Sequence, residues 1–113
     1  MARIYKILPR ADWINAQASG LFVGSPVDHE DGFIHFSTAA QAAETARRHF
    51  AGQADLVVLE VEADDLGEDL VWEPSRGGEL FPHLYGALMV GQVRAVSEAP
   101  LGEDGVPVLG DLA

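Results

Sequence analysis

Short apolar stretches, separated by glycine, proline and acidic residues, run through the chain and predict β-strands. The longest is LVVLEV at residues 56–61, and its unbroken apolar start predicts a central strand covered on both faces. A proline ends the first strand, because proline cannot donate a hydrogen bond to a neighbouring strand. The other predicted strands are residues 4–8, 33–36, 70–73 and 93–99.

Two segments have the apolar spacing of α-helices instead. The first covers residues 10–19 and is followed by Gly20, a residue type that commonly ends helices. The second begins after Thr38, which forms a capping-box pattern with Gln41, and runs to about residue 50. Its predicted apolar face carries Ala39, Ala43, Ala46 and Phe50. Both helices therefore come early in the chain.

Length and element order together predict the fold class. The 113 residues suffice for one hydrophobic core, so we expect a single domain. Because strands outnumber helices and the two main helices come early, the expected class is α+β with a mixed sheet rather than a doubly wound fold. The core is expected at about residues 3–99, with a loop over residues 21–31, and the tail over residues 100–113 is expected either to lie as irregular chain over the sheet or to end partly disordered.

Composition and charge exclude several classes of function. The formal net charge of -11 would repel an extended nucleic acid, although basic residues gathered in one cleft could still bind a small anion. The absence of cysteine excludes disulfides, thiolate metal ligands and a thiol nucleophile. No apolar run is long enough to cross a membrane and the N-terminus lacks a secretory signal, so we expect a cytoplasmic protein.

An ionisable imidazole interrupts the second predicted strand, in the stretch GFIHFST at residues 32–38. His35 could be a core histidine whose ring nitrogens bond to the backbone. Alternatively it faces a cleft together with Ser37 and Thr38 at a helix N-terminus, where free amides favour an anion or a polar ligand. The second interpretation predicts one polar wall made of strand, hydroxyl groups and helix start.

A second cluster of polar residues lies in WEPSRGGELFPHLYGAL, residues 72–88, among aromatic residues and two adjacent glycines. Its members are Glu73, Arg76, Glu79, His83 and Tyr85. Two interpretations stay open: an exposed turn with aromatics that fill the core, or a mobile loop that carries a binding site.

The remaining titratable residues bear on metals and anions. Lys6, the only lysine, either extends to solvent or meets an acid or an anion. The four histidines lack the spacing of a zinc site, so no metal site is predicted.

Several blocks of the sequence resemble one bacterial family. They are IYKILPRADW, DGFIHFSTAAQ, a helix ending in HFAG, the strand DLVVLEV, and WEPSRGGELFPHLYG. Together they span about residues 4–96 and are similar to domain-of-unknown-function family 952, for which GFIHFST and FPHLYG are fairly specific. By its name the family is uncharacterised, but it is grouped by similarity with the ADP-ribosyltransferase-like fold.

That resemblance implies a split sheet, mixed or antiparallel, that holds NAD in a cleft between its halves. In the superfamily the first strand supplies a His or Arg for the nicotinamide ribose, and Lys6 stands at this position. A second strand leads into a helix and lines the nicotinamide pocket. This element matches best, through Gly32, His35, Phe36 and Ser37.

A later strand of the superfamily often supplies a glutamate. Glu73, Glu79 and His83 are the candidates for this position, and no Glu-x-Glu motif is present. The resemblance leaves two outcomes open, a divergent transferase or a binding module that kept the pocket and lost the reaction.

The leading hypothesis is an ADP-ribosyltransferase-like domain that binds NAD or a related nucleotide as substrate and requires no cofactor. Glu73, His35 and His83 are the expected catalytic residues, with the carboxylate steadying positive charge on the ribosyl carbon. The expected ligand-binding residues are Lys6, Ser37, Thr38, Arg76, Glu79 and Tyr85. A non-catalytic small-molecule sensor is one alternative. A hydrolase with a histidine general base is the other, and Ser37 is its best available nucleophile.

Overall fold

The computed structural model describes residues 2–110 and 112, apart from the side chain of Arg76. The strands are β1 (Arg3–Pro9), β2 (Leu21–Phe22), β3 (Ile34–His35), β4 (Ser37–Thr38), β5 (Leu56–Glu62), β6 (Leu70–Pro74), β7 (Leu80–Leu84), β8 (Leu88–Met89) and β9 (Val93–Ala99). The α-helices are α1 (Arg10–Ser19), α2 (Pro26–Asp31) and α3 (Ala39–His49), and short 3-10 helices span Ala63–Asp69, Arg76–Gly78 and Val90–Gln92. No helix in this part of the chain is long and apolar enough to cross a membrane.

A four-stranded sheet in the order β4, β1, β5, β9 forms the larger half of the α+β fold. Side chains of β1 and β5 alternate between its two faces, because successive residues of a strand point to opposite sides. Ile4 and Val57 belong to one buried apolar cluster, whereas Tyr5 and Val58 belong to the other, together with alanines of α3. The central strand is therefore covered on both faces, as the pattern at residues 56–61 predicts.

A three-stranded sheet in the order β3, β7, β6 forms the smaller half, and β2 pairs separately with β8. The chain passes from the smaller to the larger sheet at Phe36, since His35 belongs to β3 and Ser37 to β4. The Phe36 amide donates a hydrogen bond to the Pro82 carbonyl at 3.0 Å, which keeps the crossing point against β7. The second predicted strand is thus shorter than predicted. It ends at His35, and the strand that follows Phe36 belongs to the larger sheet.

Every strand pairing within the described residues is antiparallel, so the mixed sheet is the wrong alternative and the antiparallel one is confirmed. The reason lies in the connection through α3. This helix joins β4 to β5, which run in the same direction, but β1 lies between them and pairs with both. Helical crossovers commonly join adjacent parallel strands. Here β1 separates the two strands that α3 joins, so no parallel pair forms between them.

The two main helices begin and end close to where the sequence predicts. Gly20 ends α1 in the left-handed conformation at φ 88°, which a residue without Cβ adopts readily. The Thr38 side chain caps α3 by accepting a backbone amide. The predicted apolar face of α3 is wrong at one position: Ala42 is buried and Ala43 is exposed. Ala42 shares the i,i+4 row of Ala46, and that row is the one facing the sheet.

Two segments outside the predicted strands and helices are ordered in the structure. Residues 21–31, predicted as a loop, include β2 and the helix α2. The tail after residue 99 packs on the larger sheet, where Leu109 is buried and Val106 and Leu112 contact the same apolar cluster.

Candidate functional site

A cavity of about 490 Å³ lies between the two sheets. One wall carries Lys6 of β1 and Ser37 of β4, and the other carries His35 of β3 and His83 of β7. Such a volume is typical of small-molecule sites, which are mostly apolar pockets of roughly 300–1,000 Å³ with a few placed polar groups. Aromatic residues supply much of the apolar lining: Tyr5, Phe36, Phe50 and Phe81.

The strand register explains why the two histidines meet. His35 and His83 stand directly opposite each other in the β3–β7 pair, and their ring centroids are 5.7 Å apart. Directly opposed residues of antiparallel strands are close enough for their side chains to interact. The ring of Phe33 joins them, 4.0 Å from the His83 ring in a stacked arrangement and 4.6 Å from the His35 ring. Two histidines that are far apart in sequence therefore form one aromatic group.

Asp28 is the centre of a buried polar cluster behind this wall, and only 2% of its surface is exposed. The Lys6 ammonium lies 3.0 Å from each carboxylate oxygen. The His35 amide donates to Oδ1 at 3.1 Å, and His35 Nδ1 lies 2.6 Å from the same oxygen. The Ser25 amide donates to Oδ2 at 2.8 Å. Donors thus surround the carboxylate, as its burial requires.

The helix α2 brings Asp28 to this position. Pro26 occupies its first residue, where a missing amide removes no helical hydrogen bond. Asp28 is the third residue, so its carboxylate turns back to the Ser25 amide in the manner of a capping box. Gly24 has φ 113°, and a Cβ at this residue would lie 3.0 Å from the Asp28 Cβ. Glycine at residue 24 avoids this crowding of the Asp28 side chain and adopts the positive φ readily.

Burial and charge act in opposite directions on this ion pair. Burial raises the pKa of Asp28, but the hydrogen bond from His35 and the charge of Lys6 outweigh it and lower the pKa to about 2. Burial lowers the pKa of Lys6, and the Asp28 charge opposes that change. Asp28 is therefore an anion at neutral pH, and it neutralises the charge of Lys6 within the protein.

His35 links the buried cluster to the cavity. Its side chain is 32% exposed, and its Nε2 lies 2.8 Å from Asp31 Oδ2. Asp31 itself lines the cavity. Both ring nitrogens thus face carboxylate oxygens, so the imidazole is held in one orientation between Asp28 and Asp31.

A second histidine–carboxylate pair lies on β6 and β7. His83 Nδ1 lies 2.8 Å from Glu73 Oε1, and the Tyr85 hydroxyl donates to the same oxygen at 2.7 Å. Hydrogen bonds from Tyr85 and His83 lower the pKa of Glu73, and the carboxylate in turn raises the pKa of Tyr85. Because a carboxylate only accepts, the hydrogen bond places a proton on His83 Nδ1, and in the neutral imidazole Nε2 is then an acceptor. An imidazole oriented in this way can exchange a proton with a bound ligand.

The structure brings some of the predicted site residues together and separates others. Glu73 and Tyr85 contact the site through His83 and do not line the cavity. Thr38 caps α3, and Glu79 is exposed outside the cavity lining. The side chain of Arg76 lies outside the described residues. The predicted residues that line the cavity are Lys6, His35, Ser37 and His83.

Sequence reasoning missed three residues of the site, Asp28, Asp31 and Phe33. The two acids belong to a stretch predicted as a loop, and neither stands out from its acidic neighbours. A signal was present in the spacing, because Ser25 and Pro26 followed by an acid two residues later form a helix-start pattern. Among the described residues, no group of three or more His, Asp or Glu side chains could hold a metal ion.

Fold and site together define a class: a small α+β domain in which antiparallel sheets enclose an aromatic cleft with two histidine–carboxylate pairs. Within that class the chain belongs to the family described as "Protein of unknown function (DUF952)", which it matches over residues 7–96. This match confirms the resemblance to family 952. A comparison with curated proteins gives no match.

Solved structures of the protein CC0527 from Caulobacter crescentus are similar to this chain. The crystal structure is 59% identical over 96% of both chains, with a TM-score of 0.94. A crystal structure of a doubly substituted form is 57% identical over the same shares, also with a TM-score of 0.94. The solution NMR structure is 58% identical over 98% of this chain and 96% of that chain, with a TM-score of 0.87. The fold described above is thus similar to experimental structures of a relative.

Proposed function

We propose that the cleft binds NAD or a related nucleotide and that the chain is an ADP-ribosyltransferase-like domain. The observation that carries this proposal is the convergence of His35 and His83 on one aromatic-lined cavity between the halves of a split sheet. The resemblance of family 952 to that superfamily implies a nucleotide cleft at this place. A nicotinamide ring is flat and aromatic, so it suits walls that offer ring faces and edges.

The polar groups take different parts in this proposal. His35 and Ser37 contact the nicotinamide half of the ligand from opposite walls. Glu73 lies outside the cavity lining, next to His83, but it is anionic and its side chain is 35% exposed, so a ribosyl group that extends past the cavity edge would meet it. Its carboxylate would stabilise the positive charge that develops on the ribosyl carbon.

Lys6 takes a different part from the one expected. Its charge is already neutralised by Asp28, so direct binding of ribose or phosphate is not its main contribution. Instead it holds Asp28, and Asp28 holds the ring of His35. Lys6 is therefore a positioning residue in this proposal.

Two other functions stay open. A non-catalytic sensor would use the same cavity without turnover. The other is a hydrolase with His83 as the general base, and the hydrogen bond between Glu73 and His83 favours it. The Ser37 hydroxyl, expected as its nucleophile, bonds the Thr45 hydroxyl at 2.9 Å rather than a histidine. Water is therefore the better nucleophile for such a reaction.

NMR titration tests the proposal. NAD, nicotinamide and ADP-ribose are added in turn while the imidazole signals of the four histidines are followed. We expect NAD to shift the signals of His35 and His83 and to leave that of exposed His29 in place, with His29→Gln confirming the assignment. If no imidazole signal moves at saturating ligand, the cleft does not bind nucleotides and the proposal is rejected.

Nicotinamide release separates an enzyme from a binder. If the domain is a transferase or NAD hydrolase, Glu73→Gln is expected to slow release by at least about 100-fold, the usual scale of one acid–base or charge-stabilising group. Glu79→Gln is the matched control, because Glu79 is exposed and lies outside the cavity lining. Binding of NAD without any release would identify a non-catalytic domain, and equal rates in all variants would reject the role of Glu73.

A further inference from the structure

Every lysine and arginine side chain that the structure describes is bound to a carboxylate of the same chain. Lys6 is paired within the buried cluster. Phosphate groups are recognised chiefly by Lys and Arg donors, and here these donors are already engaged. The surface pairs are Arg3 with Glu60, Arg10 with Asp55 and Glu98, Arg47 and Arg48 with Glu44, and Arg94 with Asp65.

The cavity has the same balance of charge. Its described lining includes one lysine, Lys6, and one acid, Asp31. Asp28 neutralises Lys6 from behind the wall, so the described lining offers an anion no unpaired lysine or arginine, whereas Asp31 presents a carboxylate to the cavity. Among the described side chains of the lining, a doubly charged pyrophosphate would find no lysine or arginine that is not already paired. A positively charged ring would find aromatic faces and a carboxylate, which attract it.

We propose that the cleft selects a cationic, N-ribosylated heterocycle of the nicotinamide type and recognises it without its phosphates. This inference rests on the proposed function and deepens it. The pyridinium ring of NAD carries the positive charge and enters the aromatic cavity beside Asp31, whereas the pyrophosphate stays in solvent. The ligand class is therefore the oxidised nicotinamide riboside unit, and longer nucleotides bind through it.

Calorimetric titration with four probes tests this inference: NAD, nicotinamide riboside, the reduced riboside and inorganic pyrophosphate. The oxidised riboside is expected to bind within about tenfold of NAD, which corresponds to about 1.4 kcal/mol. The reduced riboside lacks the ring charge and is expected to bind at least about threefold more weakly than the oxidised one, and pyrophosphate is expected not to bind.

The outcomes separate the two proposals. If neither NAD nor the riboside binds, the proposed function itself fails. If NAD binds but the oxidised riboside is more than about tenfold weaker, phosphates carry the recognition and only the present inference is overturned. Equal binding of the two ribosides would likewise show that ring charge is not recognised.

Two neighbouring substitutions on α2 sharpen the test. Asp31→Asn and Glu30→Gln each remove one negative charge, but only Asp31 lines the cavity. Asp31→Asn is expected to reduce the preference for the oxidised riboside by about threefold, with a larger effect at low salt, and Glu30→Gln to leave it unchanged. Circular dichroism checks that both variants fold. An equal change in both, or no change in either, would contradict a local role of Asp31.

Discussion

Two histidine–carboxylate pairs flank the cleft, and they differ in which partner is buried. In the Asp28–His35 pair the carboxylate side chain is 1% exposed and the imidazole is 32% exposed. In the Glu73–His83 pair the imidazole is 7% exposed and the carboxylate is 35% exposed. The same two functional groups thus meet two different environments within one site.

Because of this difference, the two carboxylates are expected to contribute differently to folding stability and to the chemistry of the site. A buried carboxylate must be matched by donors in the folded state, and loss of a partner leaves an uncompensated charge. An exposed carboxylate is screened by water and contributes little to folding. We therefore expect changes at Asp28 to act on the free energy of unfolding and changes at Glu73 to act on His83 and on the ligand.

The largest effect is expected for Asp28→Asn, which leaves the Lys6 ammonium buried without its counter-charge. Removal of one partner of a buried ion pair typically costs about 3–5 kcal/mol, so the free energy of unfolding is expected to fall by about 3 kcal/mol. Urea denaturation followed by circular dichroism measures this change.

Two further variants make that comparison decisive. Glu30→Gln removes an exposed charge from the same helix and is expected to change the free energy of unfolding by no more than about 0.5 kcal/mol. The double substitution Lys6→Met with Asp28→Asn removes both charges but keeps a side-chain acceptor for the Ser25 and His35 amides, and it is expected to recover most of the stability lost in Asp28→Asn. Equal losses in Asp28→Asn and Glu30→Gln would contradict the assignment.

Acid is expected to weaken the folded state through the same carboxyl. The folded pKa of Asp28, about 2, lies below its ordinary value of 3.8. A depressed pKa contributes stability that is complete above the ordinary value and is lost as the pH falls towards the folded pKa. At about 1.36 kcal/mol per pKa unit, the loss is about 2.5 kcal/mol. Urea denaturation between about pH 5 and pH 2 should show a smaller fall in Asp28→Asn than in the unsubstituted protein.

Glu73→Gln is expected to leave the urea midpoint unchanged, because this carboxylate is exposed. Its effect appears instead in the tautomer of His83, since the acceptor that holds the proton on Nδ1 is weakened. Nitrogen-15 NMR of the imidazole should report a smaller fraction of the Nδ1-protonated form. Glu79→Gln should leave that fraction unchanged, and a changed tautomer in this control would count against a specific contact.

The smallest effect concerns the Tyr85 phenol. Its hydrogen bond to Glu73 raises its pKa above the ordinary value of 10.0, so it should ionise at higher pH than a free tyrosine. Ultraviolet titration measures this, and the chain has only one other tyrosine, Tyr5, which is buried. In Glu73→Gln the Tyr85 transition should move back towards the ordinary value. Identical titrations in both proteins would contradict the hydrogen bond.

Elements whose signals lie within their own residues could be predicted. The helix α3 has its capping residue and its apolar spacing in one short stretch, and the strand β9 matches the predicted residues 93–99. His35 could also be singled out, because an ionisable side chain in an apolar strand needs a partner or an opening to solvent.

The parts that could not be predicted depend on contacts between distant segments. Lys6 needs an acid, but the chain has 18 acidic residues and only the folded arrangement brings Asp28 of α2 beside β1. The meeting of His35 with His83 follows from the register of β3 on β7, which no local pattern determines. Tertiary packing likewise determines which side of α3 faces the sheet, so that Ala42 is buried and Ala43 is exposed.

Phe36, the single residue between β3 and β4, ties the two walls of the cleft together through the main chain. At this edge the Cα atoms of His35 and Ser37 cannot lie farther apart than the span of two extended residues, about 7 Å. Covalent geometry therefore limits the width of the cleft at this edge, whatever occupies it.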